Sequence, residues 1–118
     1  MIGMQDIQAY LPEMEETYKH LHQCPELGFE ETETSAYILK RLAEYGIEGR
    51  QVARTGILAD IQGSAPGKTV AIRADMDALP IEEMSGVPYA SQNAGKMHAC
   101  GHDSHVTMLL GAAHYLKE

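Results

Sequence analysis

The sequence predicts an α/β fold built from two helices, a set of short strands, a long loop and a last helix. Apolar residues recur at helical spacing in residues 7–21 and 36–45, and short apolar runs typical of strands follow in residues 47–74. Residues 78–101 show no clean periodicity and contain several prolines and glycines, which predicts a loop. A loop of this length is usually functional or disordered, and its place between a strand and a helix favours a functional one.

Length, composition and charge limit the classes of protein to which the chain can belong. With 118 residues, of which 44% are hydrophobic and 22% charged, the chain is expected to form one soluble domain with a modest core. A net charge of −8 argues against a nucleic-acid partner, because phosphates require a basic surface. No apolar run reaches the roughly 20 residues that span a membrane, and residues 1–6 lack the pattern of a secretory signal. We therefore expect a cytoplasmic protein with reduced cysteines and no membrane partner.

Two amphipathic helices are predicted before the strands. The first should begin near Leu11, with Pro12 either in its first turn or at a kink, and end before Pro25. Its apolar face comprises Ile7, Leu11, Met14, Tyr18 and Leu21. The second follows a turn at residues 20–31 and should end before Gly46, a typical residue just past a helix end. Its apolar stripe consists of Ala36, Leu39 and Ala43 and is widened by Ile38, Leu42 and Tyr45.

The strands are expected to form a hairpin around a turn at residues 64–68, which are rich in turn-forming residues. Residues 47–53 are a weak candidate strand, and residues 56–62 are a better one. Residues 69–74 have the continuous apolar character of a buried strand, which would end at Asp75. The expected hairpin therefore pairs the second and third of these segments.

Residue types that bind metals lie at two places in the chain. Asp75 and Asp77 follow the predicted buried strand, and ligands in open α/β sheets collect beyond the carboxyl ends of strands. Cys100 and His102 are two residues apart, so an extended segment would point both side chains the same way. Thiolate and imidazole are ligands suited to zinc and similar divalent ions. The residues therefore predict part of a metal site at one rim of the sheet.

The last helix is expected to start near Asp103, a good N-cap residue. Its first turn would favour the thiolate form of the nearby Cys100 and would attract a substrate carboxylate, because free N–H groups and the helix dipole make this end positive. The residues expected to face inward are Val106, Leu109, Leu110 and Ala113.

Taken alone, these residues leave other interpretations open. A lone cysteine is most often a small buried hydrophobe, and Cys-x-His is a common pattern. His98 and His105 are better interpreted as surface or supporting histidines, and Asp77 could be only a turn or helix-cap residue. The remaining histidines and the other cysteine are expected to be structural: His20, His22, His114 and Cys24.

Three motifs, in order, give the chain a resemblance to a known family. They are HQCPELGFEET at residues 22–32, RADMDALPI at residues 73–81 and MHACGHD at residues 97–103. These motifs resemble those of the metal-dependent amidohydrolases of the aminoacylase/carboxypeptidase superfamily. The similar branch contains N-acyl-L-amino-acid amidohydrolases, hippurate hydrolase and plant auxin-conjugate hydrolases.

The resemblance implies a three-layer, zinc-exopeptidase-like catalytic domain, with residues 1–118 as its N-terminal part, and a centre of two divalent ions, zinc or manganese. It makes Cys100 and His102 metal ligands and gives Asp77 a supporting role in the site. The candidates for further supporting contacts are Asp75, His98 and His105. The implied reaction is hydrolysis of the amide bond of a small N-acyl amino acid, with a metal-activated water and a glutamate base.

The family's glutamate base belongs to a Glu-Glu pair downstream of the Cys-Gly-His motif. All acidic pairs of this sequence come before that motif: Glu15-Glu16, Glu30-Glu31 and Glu82-Glu83. The other metal ligands and the dimerisation domain would also lie beyond Glu118. We therefore expect an N-terminal fragment that is inactive alone, from an enzyme that forms a homo-oligomer. A missing neighbouring strand would leave a sheet edge exposed and favour self-association.

Two alternatives belong to other functional classes. In a non-catalytic metal-binding module, Cys100 and His102 would close a structural zinc site together with one or two other donors. The candidates for those donors are Asp75, Asp77, His98 and His105. In an assembly fragment the cluster would have no metal role. Only the hydrolase hypothesis accounts for all three motifs in family order.

Overall fold

The computed structural model describes residues 4–118. Residues 1–3, on which part of the expected lack of a secretory signal depends, lie outside the described residues. The helices are α1 (Met4–Gln8), α2 (Leu11–Gln23), α3 (Thr32–Glu44) and α4 (His102–Lys117), and the strands are β1 (Gly49–Val52) and β2 (Gly56–Ala59). This order confirms the prediction of helices, then strands, a long loop and a last helix. No helix among the described residues has both the length and the apolar character to cross a membrane.

The bounds of α2 agree with the prediction. Pro12 lies in its first turn, where the missing N–H costs no helical hydrogen bond. The helix ends at Gln23, and the Cys24 N–H bonds to the Leu21 carbonyl just before Pro25. The predicted apolar face is divided between α1 and α2, and within it Leu21 is fully buried whereas Leu11 is exposed.

Helix α3 buries a different stripe from the one that the sequence pattern centred on. Ala36 and Ala43 are exposed, whereas Ile38 and Leu42 are buried. The larger side chains decide the orientation of the helix, because each buries more apolar area than an alanine. Gly46 follows the end of α3 with a φ of +79°, a conformation that glycine adopts without strain, so the predicted helix end is confirmed.

The hydrophobic core lies where α2, α3 and α4 meet the hairpin. Its buried members are Leu21, Ile38, Leu42, Ile47, Val106 and Leu110. Val106 and Leu110 face inward on α4 as predicted, and Leu109 and Ala113 are half-buried beside them. On the side of the core towards Ala74 and Met76, an open apolar hollow of about 330 Å³ remains.

The hairpin forms one turn earlier in the chain than predicted. Strands β1 and β2 pair antiparallel, with Gly49 opposite Ala59 and Val52 opposite Gly56. The turn between them uses Ala53 and Arg54 at positive φ, which a sequence pattern does not disclose. The predicted pairing across residues 64–68 is therefore wrong.

The predicted buried strand at residues 69–74 is also wrong. The segment has no regular structure, and Val70 and Ile72 are 79% and 61% exposed. A strand forms only when a neighbouring strand accepts and donates its backbone hydrogen bonds. Strand β2 already pairs with β1, and no other described strand lies beside residues 69–74.

Candidate metal centre

Helix α4 begins at His102, directly after Gly101. Gly101 takes the N-cap position with a φ of +94°, in the left-handed region that favours glycine. The prediction of Asp103 as the N-cap is therefore wrong by two positions. Asp103 lies inside the first turn, where its Oδ1 accepts the Ser104 N–H at 2.9 Å. The result is that the imidazole of His102 projects from the very start of the helix.

The imidazole of His102 is oriented by the Asp-Met-Asp segment. Its Nδ1 lies 3.0 Å from both the backbone oxygen and the Oδ1 of Asp77. Both partners are acceptors, so Nδ1 carries a proton, and in the neutral ring Nε2 is the nitrogen with the free lone pair. Asp75 lies on the Nε2 side, with its Oδ2 at 3.7 Å. The structure thus brings Asp75, Asp77 and His102 together, as the sequence predicted.

The remaining predicted site residues are arranged more loosely. Cys100 is exposed and reduced, two residues before His102. The exposed His105 places its ring centroid 5.8 Å from that of His102. Among residues 4–118, no group of three or more histidine, cysteine, aspartate or glutamate side chains is placed to hold a metal ion. The assignment of Cys100 and His102 as ligands stays a prediction.

The chemistry of His102 and Cys100, an imidazole and a thiol two residues apart in the sequence, nonetheless fits a divalent ion. A metal-binding histidine almost always donates its other N–H to a carboxylate or carbonyl, and His102 does so to Asp77 with both kinds of acceptor. The donor types, one soft sulfur and one imidazole nitrogen, are those that zinc and similar ions prefer.

His98 is buried rather than on the surface. It is 5% exposed, and neither ring nitrogen has a hydrogen-bond partner among the described residues. Burial lowers the pKa of His98 below its ordinary value, and the nearby carboxylates of Asp103 and Asp77 only partly oppose this. His98 is therefore a buried histidine without a hydrogen-bond partner among the described residues, two positions before Cys100.

His22, expected to be merely structural, forms a buried chain of hydrogen bonds near the same site. Its Nδ1 lies 2.7 Å from Asp103 Oδ2, and its Nε2 lies 2.9 Å from Glu83 Oε2. Burial acts to lower the pKa of His22, but the hydrogen bonds and charges of Glu83 and Asp103 outweigh it and raise the pKa. Burial acts to raise the pKa of Glu83, but hydrogen bonds from Ser85, His22 and Ser91 lower it to about 2. Nothing in the irregular pattern of residues 78–101 marks Glu83 as the buried carboxylate.

The turn after α2 ties down the long loop. The carbonyl of Gln23 accepts the Gln92 N–H at 2.9 Å, and the carbonyl of Glu26 accepts the Ala78 N–H at 2.8 Å. The Pro25 carbonyl accepts the side-chain N–H of Asn93 at 2.9 Å. Within the loop, Leu79 and Met97 form an antiparallel bridge. The first sequence motif therefore holds the loop that joins the other two.

Comparisons with known proteins point to one family. Residues 71–118 match the family model of peptidase family M20/M25/M40. The chain is 59% identical over 101 residues to N-acetyl-L-cysteine deacetylase of Bacillus subtilis (strain 168), a match that covers 85% of this chain and 24% of the deacetylase. It is 49% identical over 96 residues to N-acyl-L-amino acid amidohydrolase of Geobacillus stearothermophilus, covering 80% of this chain and 26% of that protein.

A solved structure has the same fold. It is the crystal structure of the Bacillus subtilis YXEP protein, described as a dinuclear metal binding peptidase from the M20 family. The TM-score is 0.89 at 43% sequence identity, over 93% of this chain and 32% of the YXEP chain. The chain therefore has the fold of part of the YXEP structure. It spans about a quarter of the length of the curated relatives it matches.

Proposed function

Because this chain belongs to peptidase family M20/M25/M40, we propose that residues 1–118 form the N-terminal part of the catalytic domain of a metal-dependent amidohydrolase. Its substrates are small N-acyl amino acids, since relatives are named N-acetyl-L-cysteine deacetylase and N-acyl-L-amino acid amidohydrolase. The chain spans about a quarter of those relatives, so the activity is proposed for the longer protein.

The hydrogen bonds from His102 to Asp77 carry this proposal. They fix the imidazole tautomer that leaves Nε2 unprotonated, and they hold the ring against the loop before any ion arrives. A histidine with only a packing role has no need for two acceptors on one nitrogen and a third carboxylate, Asp75, on the other side. In the proposal, Cys100 and His102 bind the ion, and Asp77 orients His102.

A divalent ion bound by such residues polarises the scissile carbonyl and makes a water nucleophilic at neutral pH. The family's glutamate base belongs to a Glu-Glu pair after the Cys-Gly-His motif, and no described residue after that motif forms such a pair. Glu83 is fully engaged, because it accepts hydrogen bonds from His22, Ser85 and the Ser91 N–H. We therefore expect the 118-residue chain alone to hydrolyse no N-acyl amino acid.

Three finer points belong to the same proposal. We propose two ions in the longer protein, zinc or manganese, because thiolate and imidazole suit zinc and carboxylates suit manganese. Cytoplasmic location agrees with two unpaired cysteines, Cys24 and Cys100. A homo-oligomer is proposed for the longer protein, because its family resemblance implies a dimerisation domain.

Titration with Co²⁺ tests the site directly. Wild type should bind Co²⁺ with a near-ultraviolet band from thiolate coordination, and Cys100→Ser should lose the band and bind Co²⁺ more weakly. Cys24→Ser is the matched control, because Cys24 is the other free thiol of the chain and lies outside the Cys100–His102 segment, so the band should remain. Equal Co²⁺ binding by wild type and Cys100→Ser would contradict the ligand assignment. Turnover of N-acetyl-L-cysteine by the chain, abolished by a chelator, would contradict its inactivity.

A further inference from the structure

His22 joins three segments that are far apart in the sequence. It lies near the end of α2, bonds to Asp103 in the first turn of α4, and bonds to Glu83 in the long loop. The two contacts use opposite nitrogens of one ring, so the imidazole spans the gap between helix and loop. Tyr18 stacks on the ring with centroids 5.8 Å apart, and Tyr89 packs edge-on at 5.7 Å.

The burial of this chain of side chains makes His22 hard to replace. The side chains of His22, Glu83 and Asp103 are 7%, 3% and 2% exposed. A buried carboxylate without a partner is strongly unfavourable, so two carboxylates depend on one imidazole. Without His22, Glu83 and Asp103 would each lose a hydrogen-bond partner, and we expect the long loop and helix α4 to move apart.

The same contacts lead directly to the predicted metal ligands. Asp103 is the residue after His102, and its backbone carbonyl accepts the Thr107 hydroxyl at 2.8 Å. Glu83 holds the Ser91 N–H at 2.7 Å, which fixes the middle of the loop that ends in Cys100. His22 therefore acts on both sides of the Cys100–His102 segment without touching either ligand.

We propose that His22 is a positioning residue that holds the start of α4 and the long loop in the arrangement that presents Cys100 and His102 to a metal ion. The metal-binding part of this inference rests on the proposed function, whereas the positioning part rests only on the contacts of His22. His22 contributes no ligand and no proton to the reaction. Its effect is exerted through Asp103 on one side and Glu83 on the other.

The test compares His22→Gln with His20→Gln in the 118-residue chain. His20 is the matched control, because it lies on the same helix but stacks on Tyr37, with ring centroids 3.9 Å apart. Three quantities are measured for each protein: thermal stability, Co²⁺ affinity with the thiolate band, and amide hydrogen exchange at Ser91 and Ser104. Glu83→Gln, which removes one charge but keeps the shape, serves as the second variant if His22→Gln does not fold.

The expected result is selective. His22→Gln should weaken Co²⁺ binding by about 10-fold or more, as other changes behind metal ligands do, and should speed exchange at Ser91 and Ser104. His20→Gln should match wild type in both respects. A general loss of stability would instead speed exchange in α3 as well, so unchanged exchange in α3 separates positioning from mere destabilisation.

Failure of this inference can be told apart from failure of the proposed function. If wild type binds Co²⁺ and His22→Gln binds it equally well, the inference is overturned and the metal site stands. If wild type binds no Co²⁺, the proposed site fails in this chain, and hydrogen exchange alone decides the role of His22. In that case, exchange at Ser91 and Ser104 that is equal in His22→Gln and wild type would overturn the inference, and selectively faster exchange would support it.

Discussion

Two segments without regular secondary structure, residues 62–73 and 78–98, differ in how they pack against the rest of the molecule. The first is apolar enough to predict a buried strand, yet Val70 and Ile72 are exposed. The second is rich in turn-forming residues, yet its two ends, Ala78 and His98, are 4% and 5% exposed. Neither segment contains a helix or a strand. Their difference therefore comes from something other than regular secondary structure.

The difference lies in the partners that each backbone finds. The longer loop donates three hydrogen bonds to carbonyl groups of residues 23–26, and the bridge between Leu79 and Met97 adds two more. Residues 69–73 have no strand beside them within the described part of the chain. A segment without regular structure is held in place when other groups satisfy its backbone N–H and C=O groups. An apolar segment is buried only when another apolar surface covers it.

The largest predicted effect comes from comparing the same kind of truncation at a buried position of α2 and in the exposed segment. Leu21→Ala should lower the free energy of unfolding by about 2–5 kcal/mol, because Leu21 is 1% exposed and lies beside the anchored turn. Ile72→Ala should change it by no more than about 0.5 kcal/mol. Urea denaturation of both variants measures the two values. A cost above about 1.5 kcal/mol for Ile72→Ala would mean that residues 69–74 are a buried strand after all.

A smaller effect is expected in the pH dependence of the free energy of unfolding, and it comes from the loop at residues 78–98. The pKa of Glu83 falls from 4.5 to about 2 on folding, so Glu83 stabilises the fold above about pH 4.5, and this contribution is lost as the pH falls towards 2. The free energy of unfolding of wild type should therefore fall more steeply over this range than that of Glu83→Gln. Denaturation in urea at a series of pH values measures both slopes. Parallel slopes would contradict the buried link from Glu83 to His22.

The smallest effect on the free energy of unfolding is expected for residues 69–74. Substitutions there should change self-association instead. The double variant Val70→Lys/Ile72→Lys should unfold within about 0.5 kcal/mol of wild type, because both side chains already face solvent. Wild type should self-associate with rising concentration in sedimentation velocity, and the double variant should do so less. Arg50→Lys, a conservative change on an exposed position of β1, is the control. A wild type that stays monomeric at high concentration would contradict the prediction.

Much of the fold was predictable because local rules decide it. Pro12 in a first turn and Gly46 after a helix end are positions that backbone chemistry determines by itself. The hairpin was not predictable in the same way, because its turn places Ala53 and Arg54 at positive φ, where glycine or asparagine would be expected. Local preference there is overridden by the packing of Ile47 and Ile57 on the core.

The residues of the candidate site also divide into those that the sequence predicted and those that only the structure revealed. The residue types of Asp75, Asp77, Cys100 and His102, together with the family order of the motifs that contain them, already predicted a metal site. The hydrogen bonds from His102 to Asp77 agree with that prediction. His22 and Glu83 could not be singled out, since 61 residues separate them and no periodicity relates them.

The sequence by itself determined which segments become helices and where the residue types that can bind a metal lie, because both depend on residue type and short-range spacing. Only the tertiary structure decided that residues 69–74 stay exposed and that His22 lies between Asp103 and Glu83. The physical reason is that burial and charge pairing are properties of neighbours in space. A buried carboxylate and an exposed one have identical side chains, and only the folded chain distinguishes them.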